Sequence, residues 1–293
     1  MLTRRIALWL VAAVALTAQN GAPQRIVSTA PSITEMLYAL GLGDRVVGVT
    51  RFCRYPPEAQ QKPKIGDYVN PNLEAIAALR PDLVMVQTNP VRLAERLQAL
   101  HLRTLEVDQQ NLAALYNSIH VTGVATGVPA RAEQLIGSIQ SQLEAVRKRA
   151  AALPRRRVMF VVGRAPGRLD GLVVAGKSSF LTEVISVAGG DNIFRDATAA
   201  YPEVSLEEVL SRNPDVIIDM GDMGDAGDTG GITDQHRREI VGLWQRMTTI
   251  SAVKQHQVFA IASEIYLVPG PRVVDAARSL FDMLHPGAPG AGK

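Results

Sequence analysis

The chain has 293 residues, of which 47% are hydrophobic, 20% are charged and only 5% are aromatic. This length and apolar content predict about two lobes. They exclude an intrinsically disordered protein, because such chains lack the apolar surface that offsets the entropy of ordering the backbone. A single cysteine, Cys53, excludes an intrachain disulfide framework and leaves little for a zinc cluster.

The first 18 residues have the pattern of an export signal. Arg4 and Arg5 precede the apolar run IALWLVAAVALTA, which is too short to cross a bilayer of about 30 Å as a helix and ends in small residues. We expect cleavage after Ala18. Without the two arginines the net charge falls from +3 to +1, which argues against a nucleic-acid binder. No cysteine near the expected cleavage site offers lipid attachment, so we expect a soluble periplasmic protein.

Short apolar runs alternate with segments of helical periodicity in the first third of the chain. The pattern predicts strands at residues 25–28, 46–49, 83–86 and 104–107, and helices at residues 32–40, 73–79 and 92–100. Ser32, with Glu35 three residues on, is predicted to start the first helix through a capping box. Strands that alternate with helices predict an α/β structure with a mostly parallel sheet.

A long helix is predicted at residues 130–153, where apolar side chains follow one helical face and charges the other. It would extend over about 30 Å, and the βα alternation resumes after it. We interpret it as a rigid connection, with an ordinary surface helix as the alternative. The predicted fold class is therefore α/β, with two Rossmann-like lobes, each with a mostly parallel sheet, joined by a single long helix. The predicted segments are a signal peptide (1–18), an N-terminal lobe (24–128), a linking helix (129–153), a C-terminal lobe (154–285) and a tail (286–293).

Two segments of the first half recur in the second. LEAIAALRPDLV from Leu73 aligns without a gap with LEEVLSRNPDVI from Leu206, and TEMLYALG aligns with TEVISVAG in the same order. The shared order favours duplicated lobes over a chance similarity of amphipathic helices. The alignment pairs Glu74 with Glu207, each in the first turn of its helix, where a carboxylate interacts favourably with the helix dipole by about 0.3–1 kcal/mol. In pseudo-symmetric lobes the two acids could instead bind two arginines of a symmetric partner.

Motifs for catalysis or metal binding are weak. The run GLVVAGKS from Gly171 fits the P-loop pattern, but its middle residues are apolar and strand-prone, so a strand leading into a helix is the better interpretation. No G-x-S-x-G or H-E-x-x-H motif is present, and the five histidines are scattered. The Gly/Asp-rich run 221–234 lacks EF-hand spacing and is expected to be a surface loop. Cys53 is expected to be a small buried residue rather than a metal ligand.

The few aromatic residues are concentrated in connections rich in proline and glycine. They are Phe52, Tyr55, Tyr68, Tyr201 and Tyr266. Loops at the carboxyl ends of strands line the ligand crevices of α/β sheets, and aromatic rings there form flat apolar walls with polar tips. The alternative is that these rings only cover the core.

At these residues the chain resembles the periplasmic substrate-binding proteins of ABC importers that carry cobalamin, within the group that also takes siderophores and haem. The resemblance rests on RIVSTAPSITE, VVGVTRFCRYPPE, NPNLE, AGGDNIF and PGPR, in this order over residues 24–285. It implies a binding protein and not an enzyme, with no cofactor or metal of its own. Cobalamin or a similar metal chelate would be the transported ligand. It also implies that Glu74 and Glu207 of a monomer dock transiently onto arginines of a membrane permease dimer with ATPase subunits.

The resemblance places Tyr68 and Tyr201 where cobalamin binders set aromatic side chains against the corrin ring. The full set of expected ligand contacts is Arg51, Phe52, Tyr68, Gln87, Arg164, Tyr201, Glu264 and Tyr266. Because one helix joins the lobes, we expect a small closure on binding. The alternatives are a siderophore or haem receptor of the same fold, an exported α/β enzyme, and capture of a bare divalent ion, which the scattered histidines disfavour.

Overall fold

The computed structural model describes residues 21–88, 92–221 and 232–288. The predicted signal peptide, most of the Gly/Asp-rich run and the end of the predicted tail lie outside the described residues. Within them the chain forms two α/β lobes joined by one long helix, which confirms the predicted fold class. None of the helices in these three ranges combines the length and the apolar character needed to cross a membrane.

The N-terminal lobe has a four-stranded sheet in which every pairing is parallel. Its strands are β1 (Ile26–Ser28), β2 (Val46–Val49), β3 (Leu83–Gln87) and β4 (Thr104–Val107), in the order β2-β1-β3-β4. Its helices are α1 (Pro31–Ala39), α2 (Leu73–Ala78), α3 (Leu93–Gln98) and α4 (Leu112–Ala125). Ile26 and Met85 contribute to one core cluster, while their neighbours Val27 and Val84 contribute to another. Both faces of the sheet are therefore covered, which is why its strands are apolar throughout.

The linking helix α5 (Pro129–Ala151) packs against α4 of the N-terminal lobe and against two helices of the C-terminal lobe. It buries Ile139, Leu143 and Val146 in a core cluster that contains residues of both lobes. Pro129 suits the first helical position, and Lys148 and Arg149 in the last turn interact favourably with the helix dipole. The helix is thus part of one continuous core and not a free connection.

The C-terminal lobe has a six-stranded sheet around β5 (Arg156–Gly163). The other strands are β6 (Leu172–Val174), β7 (Gly190–Asn192), β8 (Glu203–Val204), β9 (Val216–Asp219) and β10 (Val258–Ala260). The order is β10-β9-β5-β6-β8, with β7 also paired to β5. β6 is antiparallel to both of its neighbours, and the other pairings are parallel. The helices are α6 (Phe180–Val187), α7 (Leu206–Arg212), α8 (Asp234–Gln245), α9 (Ser251–Lys254) and α10 (Val273–Leu284).

The segments that align in sequence adopt the same local structure. Asn72 and Ser205 each accept a hydrogen bond from a backbone N–H three residues on, at the starts of α2 and α7. Asp82 accepts a backbone N–H at the start of β1 at 3.0 Å, and Asp215 accepts one at the start of β5 at 3.1 Å. Each Pro-Asp pair therefore fixes the beginning of a neighbouring strand, as expected for duplicated lobes.

The predicted capping box at Ser32 is wrong. Helix α1 begins at Pro31, Ala30 is its N-cap residue, and no side chain accepts a capping hydrogen bond. The fixed φ of proline suits the first helical position without a cap. Glu35 does not cap the helix, because its carboxylate accepts a hydrogen bond from the Arg272 Nε at 3.0 Å.

Candidate ligand-binding site

A cavity of about 410 Å³ lies between the two lobes. All four strands of the N-terminal sheet lead to it. Ser32 follows β1, Phe52 follows β2, Gln87 ends β3 and Gln109 follows β4. Ligands of parallel α/β sheets bind outside the carboxyl ends of the strands, and the volume is in the range of about 300–1,000 Å³ that is typical of ligand pockets.

The C-terminal lobe supplies the opposite wall. Ser179 and Phe180 follow β6, and Glu264 and Leu267 follow β10. Tyr201 precedes β8, which is antiparallel to β6, so its position falls beside the carboxyl end of β6. Three segments of the C-terminal lobe, which lie after β6, before β8 and after β10, therefore converge on one cavity.

Aromatic side chains line the cavity from both lobes: Phe52 and Tyr68 from the first, Phe180 and Tyr201 from the second. Several apolar groups here are open to solvent, since Tyr201 is 44% exposed and Val69 is 67% exposed. Exposed apolar side chains grouped in a cleft are typical of a ligand surface. Burial raises the pKa of Tyr68, so its hydroxyl stays neutral near pH 7.

The charged residues among the described lining are Arg54 and Glu264. Glu264 is fixed from behind, because the Arg272 Nη2 donates to its Oε1 at 2.8 Å. The same guanidinium donates to both oxygens of Glu35, and its Cζ lies 4.0 Å from the centroid of the Tyr55 ring. Burial raises the pKa of Glu35, although the pairing with Arg272 opposes that shift. One cation and one anion in a large lining suit a ligand that is nearly neutral.

The segment with the P-loop pattern supports the cavity wall. The backbone N–H of Gly176 donates to the carbonyl of Ala200 at 2.9 Å, and that of Lys177 donates to the carbonyl of Ala197 at 2.9 Å. Both amides are thus occupied and do not form a phosphate cradle. A Cβ on Gly176 would lie 2.1 Å from the Ala199 oxygen, so glycine is required for this close approach to the Tyr201 segment. The strand and the helix predicted around this run are β6 and α6.

Three of the expected contact residues are not among the residues that line the cavity. Arg51 is largely exposed, with its Cζ 4.9 Å from the Phe52 ring centroid and its Nη2 3.4 Å from Asp67. Arg164 is buried, and its Nε donates to Asp219 at 3.0 Å. Tyr266 is buried in the core, with its ring centroid 5.4 Å from that of Phe160.

Phe52, Tyr68, Gln87, Tyr201 and Glu264 do line the cavity. The residues that sequence reasoning missed also follow strands or flank the predicted aromatic residues. They are Pro31, Ser32, Arg54, Val69, Gln109, Gln110, Ser178, Ser179, Phe180, Ala200, Leu267, Val268 and Pro269. Their signal is position in the chain, because most of them lie in the connection or the first helical turn that follows a strand, and the others lie next to a predicted aromatic residue.

Glu74 and Glu207 are both exposed in the first turns of α2 and α7, and neither forms an ion pair within the described part of the chain. Hydrogen bonds from its own backbone N–H and from Ser205 lower the pKa of Glu207, so it is ionised. Each lobe thus presents one equivalent carboxylate to solvent.

Cys53 is buried, and its Sγ lies 3.1 Å from the Thr50 hydroxyl. Burial raises the pKa of this thiol, which disfavours the thiolate that a metal ion requires. Residues 21–88, 92–221 and 232–288 contain no cluster of three or more histidine, cysteine or acidic side chains that could hold a metal ion.

Two lobes with a rigid connection and an aromatic cavity between them define a ligand-binding protein. The profile of the family described as "Periplasmic binding protein" matches residues 26–265. The chain therefore belongs to the periplasmic binding protein family and is not an enzyme, and the resemblance seen in the sequence is confirmed.

Curated relatives and solved structures agree with this assignment. The vitamin B12-binding protein of Pectobacterium atrosepticum is 30% identical, over 97% of this chain and 96% of that protein. The ABC transporter substrate-binding lipoprotein YvrC of Bacillus subtilis is 30% identical, over 90% of this chain and 81% of its own. The periplasmic vitamin B12-binding protein BtuF of Vibrio cholerae superposes with a TM-score of 0.74 at 26% identity, over 90% of this chain and 97% of its own. The periplasmic haem-binding protein RhuT from Roseiflexus sp. RS-1 superposes with a TM-score of 0.72 at 27% identity, over 90% of this chain and 100% of its own.

Proposed function

We propose that this chain is the substrate-binding protein of an ABC importer and that it holds cobalamin or a related corrinoid between its lobes. The observation that carries the proposal is the cavity lining, with aromatic side chains on both walls and one charge of each sign among the described residues. A corrinoid offers a broad apolar macrocycle for the aromatic side chains and neutral amide groups for the polar ones. It is larger than about 410 Å³, so part of it would project through the open mouth.

Haem is the second candidate ligand, because the Tyr68 phenol lines the cavity and tyrosine can ligate haem iron. Two features make it less suitable. Arg54 is the one cation among the described lining residues, whereas haem carries two carboxylates. Burial also raises the pKa of Tyr68, which disfavours the phenolate form that binds iron.

Titration of the purified protein with cyanocobalamin, haemin and a ferric hydroxamate, followed by calorimetry and absorbance, tests the proposal. We expect saturable 1:1 binding of cyanocobalamin, and a loss of about 10–100-fold in affinity for Tyr68→Ala and Tyr201→Ala, because each substitution removes an aromatic contact worth roughly 1–3 kcal/mol. Tyr38→Ala serves as the control, since this half-buried tyrosine of α1 is not among the cavity lining. Tight binding of haemin with none of cyanocobalamin would replace the corrinoid by haem.

We further propose that Glu74 and Glu207 dock the loaded protein onto arginines of a membrane permease dimer that carries ATPase subunits. Support comes from their equivalence in the duplicated lobes and their exposure without an ion pair among the described residues. Two carboxylates related by pseudo-symmetry match a two-fold symmetric partner, because each can form charge-assisted hydrogen bonds with one half of it.

The docking proposal is tested by a Glu74→Lys, Glu207→Lys double variant in a transport assay with the cognate permease in vesicles. We expect transport to be abolished while the affinity for ligand stays unchanged. Glu144→Lys is the control, because Glu144 is an exposed acid of the linking helix. Undiminished transport by the double variant would show that the two acids act only as favourable charges at helix starts.

Export to the periplasm completes the proposal. Residues 1–18 would serve as a cleavable signal peptide, followed by release of a soluble monomer. Mass spectrometry of the protein from a periplasmic fraction should then give an N-terminus near residue 19. A chain recovered intact with its initial segment would contradict cleavage.

A further inference from the structure

Gln109 combines burial with an unpaired amide. It follows β4 and lines the cavity, yet its side chain is inaccessible to solvent. Neither Oε1 nor Nε2 has a hydrogen-bond partner in the part of the chain that the structure describes. A primary amide offers two N–H donors and an oxygen with two lone pairs. Burying such a group without partners costs about 1–3 kcal/mol, so a partner from outside the chain would be strongly favoured.

The backbone on both sides of Gln109 is held firmly. The Ser118 hydroxyl donates to the carbonyl of Asp108 at 2.5 Å. The Asn111 side chain caps α4, and the backbone N–H of Leu112 donates to the Glu183 Oε2 across the lobes at 2.8 Å. The side-chain amide, in contrast, forms no hydrogen bond to a described residue that would fix its orientation. The backbone of this segment is therefore fixed, while both polar atoms of the amide lack a partner among the described residues.

We propose that Gln109 determines ligand specificity by pairing with a carboxamide side group of the ligand; the inference rests on the proposed function and deepens it. When the buried amide turns toward the cavity, the Gln109 Nε2 donates to the ligand carbonyl and the ligand N–H donates to the Gln109 Oε1, so both atoms are satisfied at once. A carboxylate can only accept. It would leave Oε1 unpaired and opposite a negative oxygen, which is costly in a buried site.

This chemistry separates two classes of macrocyclic chelate. Corrinoids carry primary amides around the ring, whereas haem carries carboxylates. Gln87 and Gln110 also line the cavity, so the polar part of the lining is itself rich in neutral amides. Gln109 is distinguished from Gln110 by burial, because water replaces a lost partner at the exposed Gln110 but not at Gln109.

The test compares cyanocobalamin with its monocarboxylic derivatives, in each of which one peripheral amide is hydrolysed to a carboxylate. We expect the protein to bind one of these derivatives about 5–150-fold more weakly than cyanocobalamin, because one buried amide pair is lost. Gln109→Met keeps the length of the side chain without the amide. It should bind cyanocobalamin about 5–30-fold more weakly and discriminate less than about threefold against that derivative.

Gln98→Met is the matched control, since Gln98 is an exposed residue of α3 outside the cavity. It should bind and discriminate like the unchanged protein. Equal affinity of the unchanged protein for all the derivatives would overturn the role of Gln109 while leaving the proposed function intact, and so would full discrimination by Gln109→Met. No binding of cyanocobalamin would overturn both. If Gln109→Met does not fold, the comparison of ligands on the unchanged protein still shows whether the site discriminates between a ligand amide and a ligand carboxylate.

Discussion

Removal of the Glu35 carboxylate tests whether a buried ion pair joins the two lobes in addition to the linking helix. The Glu35 side chain is 3% exposed and accepts two hydrogen bonds from the Arg272 guanidinium, which is 15% exposed and lies at the start of α10 in the other lobe. Arg272 also donates to Glu264 at 2.8 Å. In Glu35→Ala the guanidinium therefore keeps one of its two carboxylate partners.

The contacts of Arg272 set the expected magnitude. Removal of one partner of a buried ion pair lowers the free energy of unfolding by about 3–5 kcal/mol, because the other charge is left uncompensated. Since Arg272 retains Glu264 and the face of the Tyr55 ring, we expect the lower end, about 3 kcal/mol. At about 2–4 °C per kcal/mol for a chain of this size, the melting temperature falls by about 6–12 °C.

Thermal unfolding followed by circular dichroism, together with urea titration, measures this loss. Glu144→Ala is the matched control, because Glu144 pairs with Arg147 on the exposed face of α5, where both side chains are more than 40% exposed. Such a pair contributes less than about 1 kcal/mol. If Glu35→Ala melts no lower than Glu144→Ala, the ion pair between the lobes does not stabilise the protein.

Substitutions at three further positions should lower or raise the free energy of unfolding. Gly176→Ala places a Cβ 2.1 Å from a backbone oxygen and should lower both melting temperature and ligand affinity, by roughly 1–3 kcal/mol in stability. Gly242→Ala, in an open position of α8, should instead stabilise by about 0.5–1 kcal/mol. Asp219→Ala leaves the buried Arg164 charge unpaired and should lower the free energy of unfolding by about 3–5 kcal/mol; a melting temperature equal to that of the unchanged protein would contradict this.

Local sequence patterns predicted the elements well, because alternation of apolar residues and turn residues acts over short distances. The second predicted strand (46–49) and the fourth (104–107) coincide with β2 and β4, and the long helix differs from α5 by one residue at its start and two at its end. The alignment of Leu73 with Leu206 marked two helices with the same type of N-cap. Position after a strand was enough to place Phe52 at the cavity, because topology brings the ends of parallel strands together, whereas Tyr201 precedes β8 and was placed there by the resemblance.

Residues whose role depends on burial and pairing could not be recognised in this way. Arg164 follows a strand just as a ligand residue would, but its partner Asp219 is 55 residues away, and Trp244 donates to the same carboxylate at 2.7 Å. The unpaired amide of Gln109 is equally invisible in sequence, since its neighbours Gln110 and Asp108 give no sign of which side chain is buried. Burial and pairing of polar groups depend on tertiary neighbours, which a local pattern does not contain.

Duplication also accounts for how the lobes are joined. Glu35 of α1 and Glu183 of α6 are aligned residues, and each reaches the start of the last helix of the opposite lobe. Glu35 pairs with Arg272 before α10, and the Glu183 Oε2 accepts the backbone N–H of Leu112 at the start of α4 at 2.8 Å. A wide opening would break both charge-assisted contacts, each worth about 1.5–3 kcal/mol, and would also disturb the core shared through α5. We therefore expect the cavity walls to be nearly preformed, so that selection of the ligand depends on the aromatic and amide side chains that line the cavity and less on closure.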